Sequence, residues 1–180
     1  MSIIELKEHK SSSYAPRTYH NASQGVTLAV AVNHYTAGEK LTQKAAGDKI
    51  VKVDYFHGMD ELYPARALYV MLKKHDCSVV NVAGNGIYTL ATKGVTQKDI
   101  NQYIYNTLKK VHEHLPLSRI VSGGQTGADL AGLVAGYKLG ISVTGMWPNG
   151  YKMRFEDGKD INMDKEVILK MIIDYAEELL

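Results

Sequence analysis

The run Val26-Thr-Leu-Ala-Val-Ala-Val32 holds one hydroxyl and no charge, and a strand of that kind must be covered on both faces. Strands so buried belong to parallel sheets with helices on either side. Short apolar runs at Lys49–Tyr55, Ser78–Ala83, Arg119–Ser122 and Ile141–Gly145 are its natural neighbours. Between and after them lie longer segments of helical period. Thr36–Ala46 starts at a Thr cap. Tyr63–His75 puts Leu68, Met71 and Leu72 on one face, and Gln97–His112 repeats Ile100, Ile104, Leu108 and Val111. Thr126–Leu139 is rich in Ala and Gly, and Asp164–Leu180 closes the chain. The alternation predicts an α/β fold, a single three-layer domain whose mainly parallel sheet has five or six strands flanked by helices.

A chain of 180 residues is long enough for one domain with an ordinary core. Twenty-one Lys and Arg against nineteen Asp and Glu leave a net charge of +2, and only four of the cations are Arg. No field of the whole chain recruits nucleic acid or a membrane surface, so neither is expected as a partner. Any charged ligand must be held locally. The single Cys77 permits no internal disulfide, and Met1 to Lys10 carries charges where a signal peptide needs an apolar stretch. A cytoplasmic location is therefore expected. Residues 1–13, which end in Ser11-Ser12-Ser13, read as a flexible arm, and residues 14–180 as the domain.

The chemistry concentrates in Ile120-Val-Ser-Gly-Gly-Gln-Thr-Gly-Ala-Asp129, a strand running into a glycine-rich turn that opens a helix. Such turns let backbone approach a phosphate closely, with free N–H groups and the helix dipole aimed at the anion. The turn has neither the Gly-Lys-Ser/Thr of a Walker loop nor the Rossmann Gly-x-Gly-x-x-Gly spacing. Ser122, Gly123, Gly124, Gln125, Thr126, Gly127 and Asp129 are the expected phosphate-binding residues; the alternative is a tight connection in which Asp129 merely caps the helix.

A second loop, Asn33 to Thr42, leaves the first strand at the same end of the sheet, and Thr36, Gly38 and Thr42 are its candidate ligands. Thr36 acting only as a helix cap stands beside that reading. In a third turn Asn85 offers an amide to a base or pterin edge, with a plain turn as the alternative reading. Arg17 is suited to a bidentate grip on phosphate, with Asn21 in the same stretch before the first strand, and Arg154 joins them from the loop after the last strand. Glu39, Asp129 and Glu156 are the candidate acids or bases should the ligand be turned over. The seven His show no metal-ligand spacing, so no metal is expected.

At Ile120 to Asp129 the sequence resembles the molybdenum cofactor carrier family of the SLOG superfamily, Rossmann-like nucleotide-binding proteins that include cytokinin-activating phosphoribohydrolases. The likeness continues through Leu139-Gly140-Ile141, Pro148-Asn-Gly150 and Glu156-Asp157-Gly158. It includes Arg17-Thr18 with Asn21, Thr36-Ala-Gly38, and Asn81-Val-Ala-Gly84. In the carriers, as the resemblance implies, the glycine-rich half comes first; here it comes last, which makes this chain a circular permutation of that order. The resemblance implies a Rossmann-like, SLOG-type domain holding a phosphorylated nucleotide-like or pterin-like small molecule at the carboxyl ends of its strands. Carrier, sensor or sequestering protein are the roles it suggests. No required cofactor is expected, and a bound nucleotide or molybdopterin-like ligand is the candidate. The alternative is an N-glycosidase or phosphoribohydrolase-type enzyme acting on a nucleotide. Against it, the hydrolase signature Pro-Gly-Gly-x-Gly-Thr-x-x-Glu is absent, Glu39 and Thr42 standing where its Thr and Glu would be. A homo-oligomer completes the expectation.

Overall fold

The computed structural model describes residues 3–57 and 61–180. The main sheet is built from β1 (Ile4–Glu8), β2 (Val26–Ala31), β3 (Ile50–Asp54), β4 (Val79–Gly84), β5 (Arg119–Ser122) and β6 (Ser142–Trp147). Its order is β1-β6-β5-β4-β2-β3, and every pair in it is parallel. A separate antiparallel ribbon pairs β7 (Lys152–Arg154) with β8 (Asp160–Asn162). The helices are α1 (Tyr14–Ser23), α2 (Ala37–Ala46), α3 (Leu62–Lys74), α4 (Ile87–Ala91), α5 (Gln97–His114), α6 (Ala128–Lys138) and α7 (Lys165–Glu177).

Right-handed crossovers assign the helices to faces. The steps β1 to β2 and β2 to β3 move one way across the sheet through α1 and α2, which pack together. The steps β3 to β4, β4 to β5 and β5 to β6 move the other way. They place α3, α5 and α6 on the opposite face, where α3 packs on α5, α5 on α6, and α6 on α7. Leu28, Val30, Val80, Val82 and Ile120 are fully buried under this second layer. Each contributes about 1.5–3 kcal/mol of burial relative to exposure. Gly132 and Gly136 of α6 let the helix close on the sheet, because a Cβ at either would come within 2.5 Å of Val82 or Val143.

Two elements differ from the sequence expectation. Ile4–Glu8, within the segment read as an arm, is an edge strand parallel to β6, with Leu6 buried and charged residues alternating outward. The charge that hid it is what an exposed edge requires. Pairing extends beyond it, since the amide of His9 donates to the carbonyl of Trp147 and that of Asn149 to Ser11. Tyr14–Ser23 is a helix whose buried residues are Arg17, Asn21 and Ala22. A polar inner face gives no apolar periodicity to read.

Adjacent strands β2 and β4 send their connections to opposite faces. Their carboxyl ends thus form a topological switch point, where open parallel sheets leave a crevice.

Candidate functional site

A cleft of about 450 Å3 opens at this switch point. Its walls are the inner face of α1 (Tyr14, Arg17, Thr18, Asn21), the first turns of α2 (Thr36 to Thr42) and the end of β4 with its turn (Asn81, Ala83 to Gly86). Tyr88, Thr89, Gly123, Gln125, Thr126, Asp129 and Arg154 complete it. Of the residues expected from sequence, the fold brings Arg17, Asn21, Thr36, Gly38, Glu39, Thr42, Asn85, Gly123, Gln125, Thr126, Asp129 and Arg154 to this one cleft. Tyr14, Thr18, Asn81 and Tyr88 were missed. The spacing 14, 17, 18, 21 is a helical face, and it would have been legible had polar residues been scored as an inner stripe.

The glycine-rich turn is organised differently from the expected phosphate cradle. The amide of Gly127 donates to Gln97 Oε1 at 2.6 Å and that of Ala128 to the carbonyl of Asn85 at 3.1 Å. Several donors at the start of α6 are therefore already engaged. Gln125 acts as a strand partner for the ribbon: its Nε2 donates to the carbonyl of Lys152, and its Oε1 accepts from the amide of Arg154 at 3.1 Å. The hydroxyl of Thr126 donates to the carbonyl of Arg154. Gly124 lies against the indole of Trp147, and Gly127 against Asn85 and Gly86. Ser122 is fully buried and donates to the carbonyl of Asp129 at 2.8 Å. So Ser122, Gly124 and Gly127 do not line the cleft. The motif is a junction between sheet, ribbon and α4, because four segments meet at a turn with no room for Cβ atoms.

Two further expectations are corrected. The side chain of Asn85 is spent on the loop after β2, its Oδ1 accepting from the amides of Val32 and Asn33 and its Nδ2 donating to the carbonyl of Asn33. Its oxygen and one of its two amide hydrogens are thus engaged within the chain, as in a plain turn. Glu156 lies outside the cleft, in a second cavity with Gln97, Phe155 and Tyr175 that shares only Thr126 with the first.

The start of α2 is the open helix terminus. Thr36 caps it by accepting from the amide of Glu39 at 3.2 Å, while the amide of Lys40 takes the Thr36 carbonyl. Among the described residues the amides of Ala37 and Gly38 have no partner, and a Cβ at Gly38 would meet nothing within 4 Å. Donors and space coincide there, in the cleft that Arg17 also lines.

The charges of the cleft are paired, and Arg17, Asp129 and Glu39 are also buried. Arg17, 7% exposed, sits with its Nη1 3.5 Å from Asp129 Oδ2, and its Nε has no partner. Burial pushes the Asp129 carboxyl up to about 6, partly offset by Arg17, with Glu39 adding to the rise. Glu39, 2% exposed, faces His34 Nδ1 at 3.6 Å, and His34 Nε2 lies 3.0 Å from the carbonyl of Val53. The carboxylate of Glu39 holds the imidazole above its ordinary pKa. At the mouth, Arg154 makes a two-armed pair with Asp160 at 2.8 and 3.1 Å, which lowers the carboxyl's pKa. Tyr14 reaches the same carboxylate at 3.5 Å.

Asp129 predicts a pH dependence. A carboxyl raised from 3.8 to about 6 on folding contributes stability fully below 3.8, and that contribution is lost as pH rises through 6. Unfolding by urea should therefore show wild type losing up to about 3 kcal/mol relative to Asp129→Asn between pH 4 and pH 8. A constant difference across that range would contradict the assignment.

Comparison with known families bears on the same region. Residues 120–164, which span most of β5, the glycine-rich turn, α6, β6 and the ribbon, match the model of the circularly permutated YpsA SLOG family. The match supports a place in the SLOG superfamily with the halves of the chain in permuted order. No curated protein and no solved structure matches the chain.

Proposed function

We propose that this circularly permuted SLOG-superfamily chain holds a phosphorylated, nucleotide-like small molecule in the cleft between α1 and α2, as a carrier, sensor or sequestering protein. The observation that carries the reading is the pairing of the open start of α2 with Arg17 in one buried, concave site. Helix N-terminal amides and a guanidinium are complementary to a phosphate, and Asp129 accepts from sugar hydroxyls. A pterin-like ligand bearing a phosphate meets the same requirements. A homo-oligomer and a cytoplasmic setting belong to this proposal.

The test uses the open position. Gly38→Val places a side chain in the cleft without a clash, so the fold should persist while affinity for nucleoside 5′-monophosphates falls at least about tenfold. Unchanged affinity in calorimetric titration would overturn the site.

A second reading is favoured by Asp129. A carboxyl titrating near 6 in a cleft is suited to passing a proton at neutral pH, as cleavage of an N-glycosidic bond requires. Incubation of the protein with nucleotides separates the two. Intact nucleotide retained on the protein supports binding, and free base that disappears with Asp129→Asn supports the enzyme.

A further inference from the structure

The cleft has depth as well as a mouth, and its chemistry changes with depth. The crossover helices α1 and α2 lie along the sheet, and β4 runs beneath the cleft they border. From Tyr14 to Asn21 the helix advances about 10 Å, from Thr36 to Thr42 about 9 Å, and from Gly84 back to Asn81 about 10 Å. All six of those residues line the cleft. Its inner end is therefore Asn21, Thr42 and Asn81, three polar residues at most 7% exposed where α1 and α2 cover the middle of the sheet.

Central parallel strands ordinarily carry apolar side chains at such positions. Here Asn81 is the register partner of Thr27, and its Nδ2 donates to the Thr27 hydroxyl at 3.0 Å. Its Oδ1 makes no hydrogen bond within the chain among the described residues. Across the cleft, the Nδ2 of Asn21 is buried without a partner although the residue is only 4% exposed. Buried amide groups of this kind are ordinarily hydrogen-bonded, so an unpaired one at the closed end of a cleft marks a place for a polar partner. The Oδ1 of Asn21 is likewise without a hydrogen bond within the chain among the described residues, so this end offers amide donors and acceptors together, the complement of a planar group that presents both. A phosphate has acceptors alone and lacks half of that match.

We infer that the ligand enters base first: Asn21 and Asn81 read the hydrogen-bonding edge of a nucleobase at the closed end, and the phosphate stays at the mouth with Ala37, Gly38 and Arg17. This inference rests on the reading of the cleft as a nucleotide site. The sugar would then lie at mid-depth beside Asp129. A nucleoside monophosphate, about as long as the cleft is deep, spans the three levels.

The test is calorimetric titration of the full chain with AMP, GMP, CMP, UMP and ribose 5-phosphate. At least one nucleotide should bind about tenfold or more tighter than ribose 5-phosphate, the increment expected of a hydrogen-bonded base edge. Asn21→Leu should erase that increment while leaving ribose 5-phosphate within about twofold of wild type. Equal affinity of wild type for all five overturns the orientation, as does an Asn21→Leu variant that loses ribose 5-phosphate as severely as the nucleotide. The wild-type comparison decides by itself if the variant does not fold. Failure of all five to bind refutes the nucleotide site itself, and so is told apart from a failure of base-first entry.

Discussion

Replacing Gly124 by valine lowers the melting temperature by roughly 10–15 °C, the sum of a left-handed backbone that valine resists and an overfilled core. The backbone at Gly124 has φ +73°, and a Cβ there would stand 2.1–2.6 Å from three atoms of the Trp147 indole, itself fully buried. Together the two effects cost about 3–5 kcal/mol, a large share of a domain's typical 5–15 kcal/mol. Trp147 is the only tryptophan, so its fluorescence reports the transition at the site of the insult. A melting temperature within about 2 °C of wild type would show that the turn tolerates a side chain and is not the junction described.

Arg17→Ala should weaken nucleotide binding by roughly 30- to 100-fold, as expected when a buried guanidinium and its charged hydrogen bonds are removed. The same change strips Asp129 of its cation, and the carboxyl should then titrate above its value of about 6. Arg17→Lys keeps the charge without the planar fork and should recover part of the affinity. Binding within about twofold of wild type in the alanine variant, with the Asp129 midpoint unmoved, would remove Arg17 from the site.

Much of this architecture is legible in the sequence wherever burial is apolar. β2 and α6 announce themselves as nearly unbroken runs of buried apolar residues, and α5 because Ile100, Ile104, Leu108 and Val111 are interior on a helical period. The elements that hide are those whose inner residues serve something other than the core. α1 buries Arg17 and Asn21, β1 is a charged edge strand, and β7 and β8 are three-residue strands, the first of them stitched to Gln125. The polar face of α1 is illegible as a helix for the same reason that it forms a wall of the cleft. The glycine-rich turn illustrates the converse. Its glycines mark close approach of backbone, but sequence alone does not say whether phosphate or protein makes the approach. At Gly124 the partner is Trp147, and at Gly127 it is Asn85 and Gly86. Thr36-Ala-Gly38 has the weaker pattern and the open helix terminus.

Where an anion lands is the most direct question to put to the molecule. Titration of the 15N-labelled protein with ribose 5-phosphate, followed by amide chemical shifts, answers it residue by residue. The largest changes are expected at Ala37 and Gly38, whose amides have no partner among the described residues. Changes confined to Gly124 through Ala128, with Ala37 and Gly38 unmoved, would contradict that expectation.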